Sequence, residues 1–313
     1  MYILIAMQLL STGCMSTTIE DERKKIDTAK AVITATNSKT QFVEVNGRKL
    51  AYRSIGKGDP IILCSRFRGN LDSWDPAFLD ALAKNFTVVT FNYSGFGSST
   101  GDAPTLMSDF ANDIKDLAKA LHYDKFILGG WSFGGAVAQV LTVENPELVQ
   151  QLILIGTRPP GKIAHGFEKI FFEVSRVPNI SFEDEIILFF EPAWEPSRKA
   201  AKLSHDRIAE RMKDPDTRID EKVWANYSKG FEDYTEDKYQ AREKLMKTTI
   251  PILVISSDHE ICFPPENWFD LNRKLQTTQV ITIARTGHGV HHEYPELVSN
   301  YITDFIRNHK AAN

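Results

Sequence analysis

One seven-residue stretch constrains this chain more than any other. Gly-Gly-Trp-Ser-Phe-Gly-Gly, residues 129–135, places a single hydroxyl between two pairs of glycines directly after the apolar run Phe126-Ile127-Leu128. Glycine loses more backbone entropy on folding than any other residue, and it is used where φ must be positive or where another backbone comes close. The stretch therefore predicts a tight, crowded turn at Ser132. Residues 130–134 read G-x-S-x-G, and the apolar segment that follows, AVAQVLTVE, is helical in pattern until Asn145-Pro146 stops it. A strand-to-helix turn around such a serine is the setting of a nucleophile elbow. There the serine stands on strained backbone at the carboxyl end of a sheet, and the amides of the next helix point toward developing negative charge.

The rest of the chain supplies the sheet. QFVEVNGRKLAYRSIG reads as two strands around Asn46-Gly47, a strong hairpin signal. PIILCS, FTVVTFNYS, KFILGG, QQLILIG, PILVIS and TQVITIA are short apolar runs rich in β-branched residues, as buried parallel strands are. Phe110, Ile114, Leu117 and Leu121 recur at helical spacing between Ser108, read as a cap for the first turn, and His122. A closing helix is expected from Pro295 to about Asn308. Alternation of this kind predicts an α/β chain with a mostly parallel central sheet and helices on both faces.

Composition excludes several functions. The chain of 313 residues is 42% hydrophobic and 25% charged, with a formal charge of -4 and both signs scattered along it. No basic stripe for nucleic acid results. Cys14, Cys64 and Cys262 lack the spacing of a disulfide framework or a zinc site, so neither a bridge nor a structural metal is expected. The N-terminal apolar stretch is too short for a transmembrane span. Its end, LLSTGC, resembles a bacterial lipobox, which would make residues 1–13 a signal peptide, Cys14 a lipidated first residue and 14–40 a polar tether to the cell envelope. A cytoplasmic chain is the other reading. The folded domain is expected to begin near Gln41.

Taken with the elbow, NYSGFGSS (residues 92–99), NPELVQQLILIGT and TGHGVHHEYPELV occur in an order that resembles the α/β-hydrolase superfamily, in its cap-bearing esterase, peroxidase and C-C hydrolase branch. Asn92 stands where Asp is commoner. The resemblance implies a core over residues 41–157 and 246–313, and a helical cap over residues 158–245 carrying aromatics such as Phe167, Phe171, Phe172, Phe189 and Phe231. It also implies roles: Ser132 as nucleophile, and His288, in the loop after the last strand, as its base. His291 and His292 share that loop, but without a matching ligand cluster elsewhere no metal is expected. The amides of Phe133 and Phe67 would form the oxyanion hole, with Ser65-Arg66 where His-Gly is usual. Arg66 and Arg68 either meet an anionic substrate group or pair with Asp72 or Asp75, and the pairing is the reading favoured here. Two carboxylates compete for the third catalytic place. Counting back four residues from Pro264, or forward three from Ser257, both reach Glu260; Asp258 is the alternative.

The function these residues imply is hydrolysis of a small or medium-sized, largely apolar carboxylic ester through an acyl-enzyme, with no cofactor. Two rivals stay open: a cofactor-free haloperoxidase or perhydrolase, and a ligand-binding receptor on a hydrolase scaffold. The sequence sets no oligomeric state.

Overall fold

The structure, a computed structural model, describes residues 32–310; the candidate signal segment and Cys14 lie outside them. Eight strands form one sheet in the order β1-β2-β4-β3-β5-β6-β7-β8: β1 (Gln41–Val45), β2 (Arg48–Gly56), β3 (Asp59–Cys64), β4 (Phe86–Phe91), β5 (Phe126–Trp131), β6 (Val149–Ile155), β7 (Ile252–Ser257) and β8 (Thr278–Ile283). β2 runs antiparallel to both of its neighbours, and every other pairing is parallel. The hairpin turns where the sequence predicts: Val45 faces Arg48, and Asn46 (φ 49°) and Gly47 (φ 78°) both take the positive φ that a primed two-residue turn needs.

Successive strand residues point to opposite faces, which divides the core in two. Ile62, Val89, Leu128, Leu154 and Val254 join Phe110, Ile114 and Leu117 of helix Met107–Ala120 and Val137 and Leu141 of helix Phe133–Glu144. Ile61, Leu63, Val88, Ile127 and Ile153 face the other way, toward Phe78 and Leu82 of helix Pro76–Ala83 and Val298 and Ile302 of helix Pro295–Lys310. Each such side chain contributes about 1.5–3 kcal/mol relative to exposure. The closely packed sheet holds the ends of β5, β7 and β8 in fixed register, and the site is built on those ends.

Between β6 and β7 the chain carries helices Lys169–Ser175, Phe182–Phe189, Glu195–Ala209, Trp224–Thr235 and Ala241–Lys247. No helix of the described residues is long and apolar enough to cross a membrane.

Two expectations change, and one element is added. The compact unit begins at Thr34 rather than near Gln41, because Ala35 donates its amide to Asp80 and Arg211 donates to the carbonyls of Ala35 and Ser38. Ser108 does not cap the helix that starts at Met107: the N-cap is Leu106, and the free amides of Met107 and Ser108 are taken by Asp233 Oδ2 and the Tyr239 hydroxyl of the segment between β6 and β7. Helix Pro76–Ala83 adds an element that the apolar pattern did not mark, although Asp75 caps it by accepting the Ala77 amide and Pro76 opens it.

Candidate active site

Ser132 joins β5 to helix Phe133–Glu144 with φ 59° and ψ -120°, a conformation that costs on the order of 1–3 kcal/mol for a non-glycine residue. Neighbours enforce it. The Ser132 amide donates to the Ile155 carbonyl of β6 at 2.9 Å, and its own carbonyl accepts the Gly135 amide at 2.9 Å. The glycines of the motif explain themselves here: a Cβ on Gly130 would run into the Gly134 carbonyl, and one on Gly134 would run into the Cys64 carbonyl at the end of β3. Strand and helix can meet around the serine only without those side chains. Phe133 is the first residue of its helix, so its amide has no acceptor within that helix and is free for a ligand oxygen.

His288 and Glu260 come to the same place from separate loops. His288 Nδ1 lies 2.7 Å from Glu260 Oε2, with both residues buried. The His288 carbonyl accepts the Trp131 indole N–H at 3.1 Å, which ties this loop to the residue before the serine. The other carboxylate oxygen, Glu260 Oε1, accepts the amides of Cys262 and Phe263 at 2.9 and 3.2 Å. Burial pushes the Glu260 carboxyl up, but the facing imidazole and these amides outweigh it and hold the group below the ordinary carboxylate range. Asp258 sits apart, half exposed, accepting the Arg285 amide at 2.6 Å. The structure thus brings Glu260, not Asp258, to His288. Cys262 is near enough to both for the three to be considered as metal ligands, yet burial and the Glu260 charge keep its thiol well above its ordinary pKa, and the Glu260 oxygens are already spent on N–H donors.

His291 and His292 are structural neighbours of the site. His291 is enclosed by Trp74, Phe78 and Trp131, and burial holds its pKa well below the ordinary value. His292 Nδ1 meets the Ser204 hydroxyl at 3.2 Å, and burial lowers that imidazole to about 4. Both are neutral near pH 7.

Ser132 and His288 open into one cavity of about 280 Å³, and Ser132 also borders a second of about 390 Å³. Phe67, whose amide the family resemblance implies for the oxyanion hole, lines both. The larger cavity is aromatic, walled by Phe133, Phe167, Phe172, Phe231 and Phe263. The smaller carries Arg66, Arg68 and Arg218 beside Phe189. Here the structure overturns the expected pairing of Arg66 and Arg68. Asp72 is taken by Arg53 of β2 and by Arg211, and Asp75 by Arg207, the last two from the segment between β6 and β7. Nothing in the sequence marks Arg218, which comes from a polar stretch with no periodic pattern.

A profile of the alpha/beta hydrolase fold matches residues 59–295 of this chain. A proline iminopeptidase of Pestalotiopsis fici is 28% identical over 295 residues, covering 85% of this chain and 99% of its own length. A Synechocystis protein named as a non-heme chloroperoxidase is 25% identical over 263 residues, covering 82% and 94%. Among solved structures, an alpha/beta hydrolase fold protein from Chitinophaga pinensis superposes with a TM-score of 0.79 at 25% identity, covering 88% of this chain and 99% of its own.

Proposed function

The chain belongs to the alpha/beta hydrolase fold family, and from that premise we propose that it is a serine hydrolase cleaving a small or medium-sized, largely apolar carboxylic ester through an acyl-enzyme. The observation that carries this reading is the buried His288–Glu260 pair facing the cavity that holds the strained Ser132.

In this reading the Ser132 hydroxyl attacks the ester carbonyl as His288 takes its proton, and the charge that develops on the carbonyl oxygen falls between the amides of Phe67 and Phe133. Glu260 holds the Nδ1–H, so that the other ring nitrogen is the base, and it stabilises the imidazolium once formed. The tetrahedral adduct expels the alcohol, which leaves with the proton from His288. Water then enters, loses a proton to His288, attacks the acyl-enzyme and releases the acid and a restored Ser132. The aromatic cavity suits an apolar substituent of the ester.

A second reading follows from the relative named as a chloroperoxidase. Hydrogen peroxide in place of water would convert the acyl-enzyme to a peracid and regenerate the serine, with no change in the residues used. The relative named as an iminopeptidase makes an amide the alternative substrate, with an amine as the leaving group. A fluorophosphonate probe should label Ser132, and p-nitrophenyl esters, the matching nitroanilides, and a carboxylic acid with hydrogen peroxide should be assayed in parallel. Fast ester hydrolysis with little peracid is expected; an unlabelled Ser132 would favour a receptor built on this scaffold.

A further inference from the structure

The smaller cavity contains three cations and no anion. Arg66 stacks on Phe189 and Trp131, with its guanidinium carbon 4.6 and 5.2 Å from the ring centres. Its Nη1 donates to the Phe67 carbonyl at 2.8 Å, and its buried Nε has no partner among the described residues. Arg68 lies 3.8 Å over the Trp224 ring and donates to the carbonyls of Ser175, Val177 and Pro178. Arg218, exposed at the rim, donates to Asn179 Oδ1 at 2.7 Å and to the Pro178 carbonyl. None of the three makes an ion pair with a carboxylate of the described residues, whereas Arg48, Arg53, Arg198, Arg207 and Arg211 all do. The acid whose charge reaches Arg66, Glu185, is itself bound to His205 Nδ1 at 2.8 Å.

These arginines are held in place by neutral acceptors and rings, which orient a guanidinium without neutralising it. Burial and the neighbouring Arg68 pull Arg66 down to about 10, the mark of a cation whose charge is uncompensated where it sits. No carboxylate of the described residues lines this cavity; the acids whose charge reaches its arginines, Glu185 at Arg66 and Glu221 at Arg68, lie outside its wall. The planar pair of oxygens of a carboxylate matches a guanidinium fork, and of the anions that do so it is the smaller, as a cavity of about 280 Å³ requires.

We infer that the substrate of this site carries a carboxylate, bound in the smaller cavity by Arg66 with Arg68 and Arg218, while its apolar part occupies the aromatic cavity across Ser132. The inference rests on the serine-hydrolase reading and narrows it to a monoester of a short dicarboxylic acid. At about 280 Å³ the cationic cavity has room for a short acid chain, and the aromatic cavity of about 390 Å³ has room for an arene or a branched alkyl group.

The test compares monobenzyl glutarate with benzyl glutaramate, which replaces the carboxylate by a neutral carboxamide of the same shape. For the wild-type enzyme, kcat/KM is expected to be about 10-fold or more higher for the anion, as one charge-assisted contact implies. The preference should shrink as ionic strength rises. Arg66→Gln and, separately, Arg218→Gln should each reduce the ratio; the second lies on the exposed rim, so it tests the idea even if the first disturbs the loop. Binding of both esters to Ser132→Ala by calorimetry reads the same site without turnover. Equal affinity for the two esters, or a ratio indifferent to both arginine variants, would overturn the inference. Preferential, arginine-dependent binding of the anion by a protein that neither turns it over nor reacts with a fluorophosphonate would uphold the carboxylate site and sink the hydrolase reading instead.

Discussion

Glu260 Oε2 stands 2.7 Å from His288 Nδ1, while Asp258, two residues earlier, points away to the Arg285 amide. One carboxylate faces the imidazole and the other closes a turn. Glu260→Gln is therefore expected to lower kcat by a few orders of magnitude, up to the roughly 10⁴-fold loss seen when a triad Asp is made an amide. Asp258→Asn should cost less than about 10-fold, since an Asn oxygen still accepts an amide in a turn. Steady-state kinetics on a p-nitrophenyl ester decides the matter; a crippled Asp258→Asn beside a nearly normal Glu260→Gln would reverse the assignment.

The strain at Ser132 makes a prediction about stability that is separate from activity. Ser132→Ala keeps the Cβ and hence the unfavourable φ of 59°, so its unfolding free energy should match the wild type within about 0.5 kcal/mol. Ser132→Gly relieves roughly 1–3 kcal/mol of strain and loses about 0.4–1 kcal/mol through the freer unfolded chain. A net gain on the order of 1 kcal/mol is expected, readable in urea unfolding curves. Both variants should be inactive. A glycine variant that unfolds before the alanine variant would mean that the elbow is not strained in solution.

What the sequence reveals and what it hides divide along contact range. The strands, the hairpin and the elbow are local: Asn46-Gly47 dictates its own turn, and Gly130 and Gly134 exist for neighbours that any strand-serine-helix crossing brings close. His288 and Glu260 lie in short loops whose position relative to a strand end can be counted. Pairings of charges are another matter. Arg66 and Arg68 lie near Asp72 and Asp75 in sequence, but Arg53, Arg207 and Arg211 reach those acids first. Ser108 looks like a helix cap until Asp233 and Tyr239 arrive from the other side of the chain. Arg218 and Asp216 sit in a polar run, residues 210–220, where nothing local separates a solvated loop from one that folds over the site.

Asp216 shows what that run does. It accepts the Leu71 amide at 2.9 Å, the Ser98 hydroxyl at 2.6 Å and the Asn92 side-chain amide at 2.7 Å, fastening the segment between β6 and β7 to the loops after β3 and β4. That last contact accounts for Asn92 where the superfamily commonly has Asp. Asn92→Asp would set a second carboxylate against Asp216 in a buried position. A loss of about 1–3 kcal/mol is expected, because one buried acceptor loses its donor and faces like charge. The loss should be smaller at pH 4 than at pH 8, since protonating the introduced acid restores a donor. Denaturant midpoints at the two pH values check both the size and the trend.

Glu293, in the histidine loop, supplies the remaining prediction. Burial raises its carboxyl to about 7 against an ordinary value of 4.5, the Ser197 hydroxyl opposing and Glu191 reinforcing the shift. Only one of its oxygens has a partner among the described residues: Oε2, which accepts from Ser197 at 2.7 Å. A carboxyl whose folded pKa lies above its unfolded one binds more protons in the native state across the interval between the two. Its contribution to stability is thus fully present below about 4.5 and is lost as pH rises through about 7. Glu293→Gln is neutral at every pH and escapes that loss. His291 and His292, whose lowered pKa values destabilise the fold on acidification, are present in both proteins and cancel in the comparison. The melting temperature of Glu293→Gln relative to the wild type should therefore climb steadily from pH 5 to about pH 7 and level off by pH 8. A difference that stays flat over that range would show that Glu293 is ionised throughout it and that the loop shields the charge in some other way.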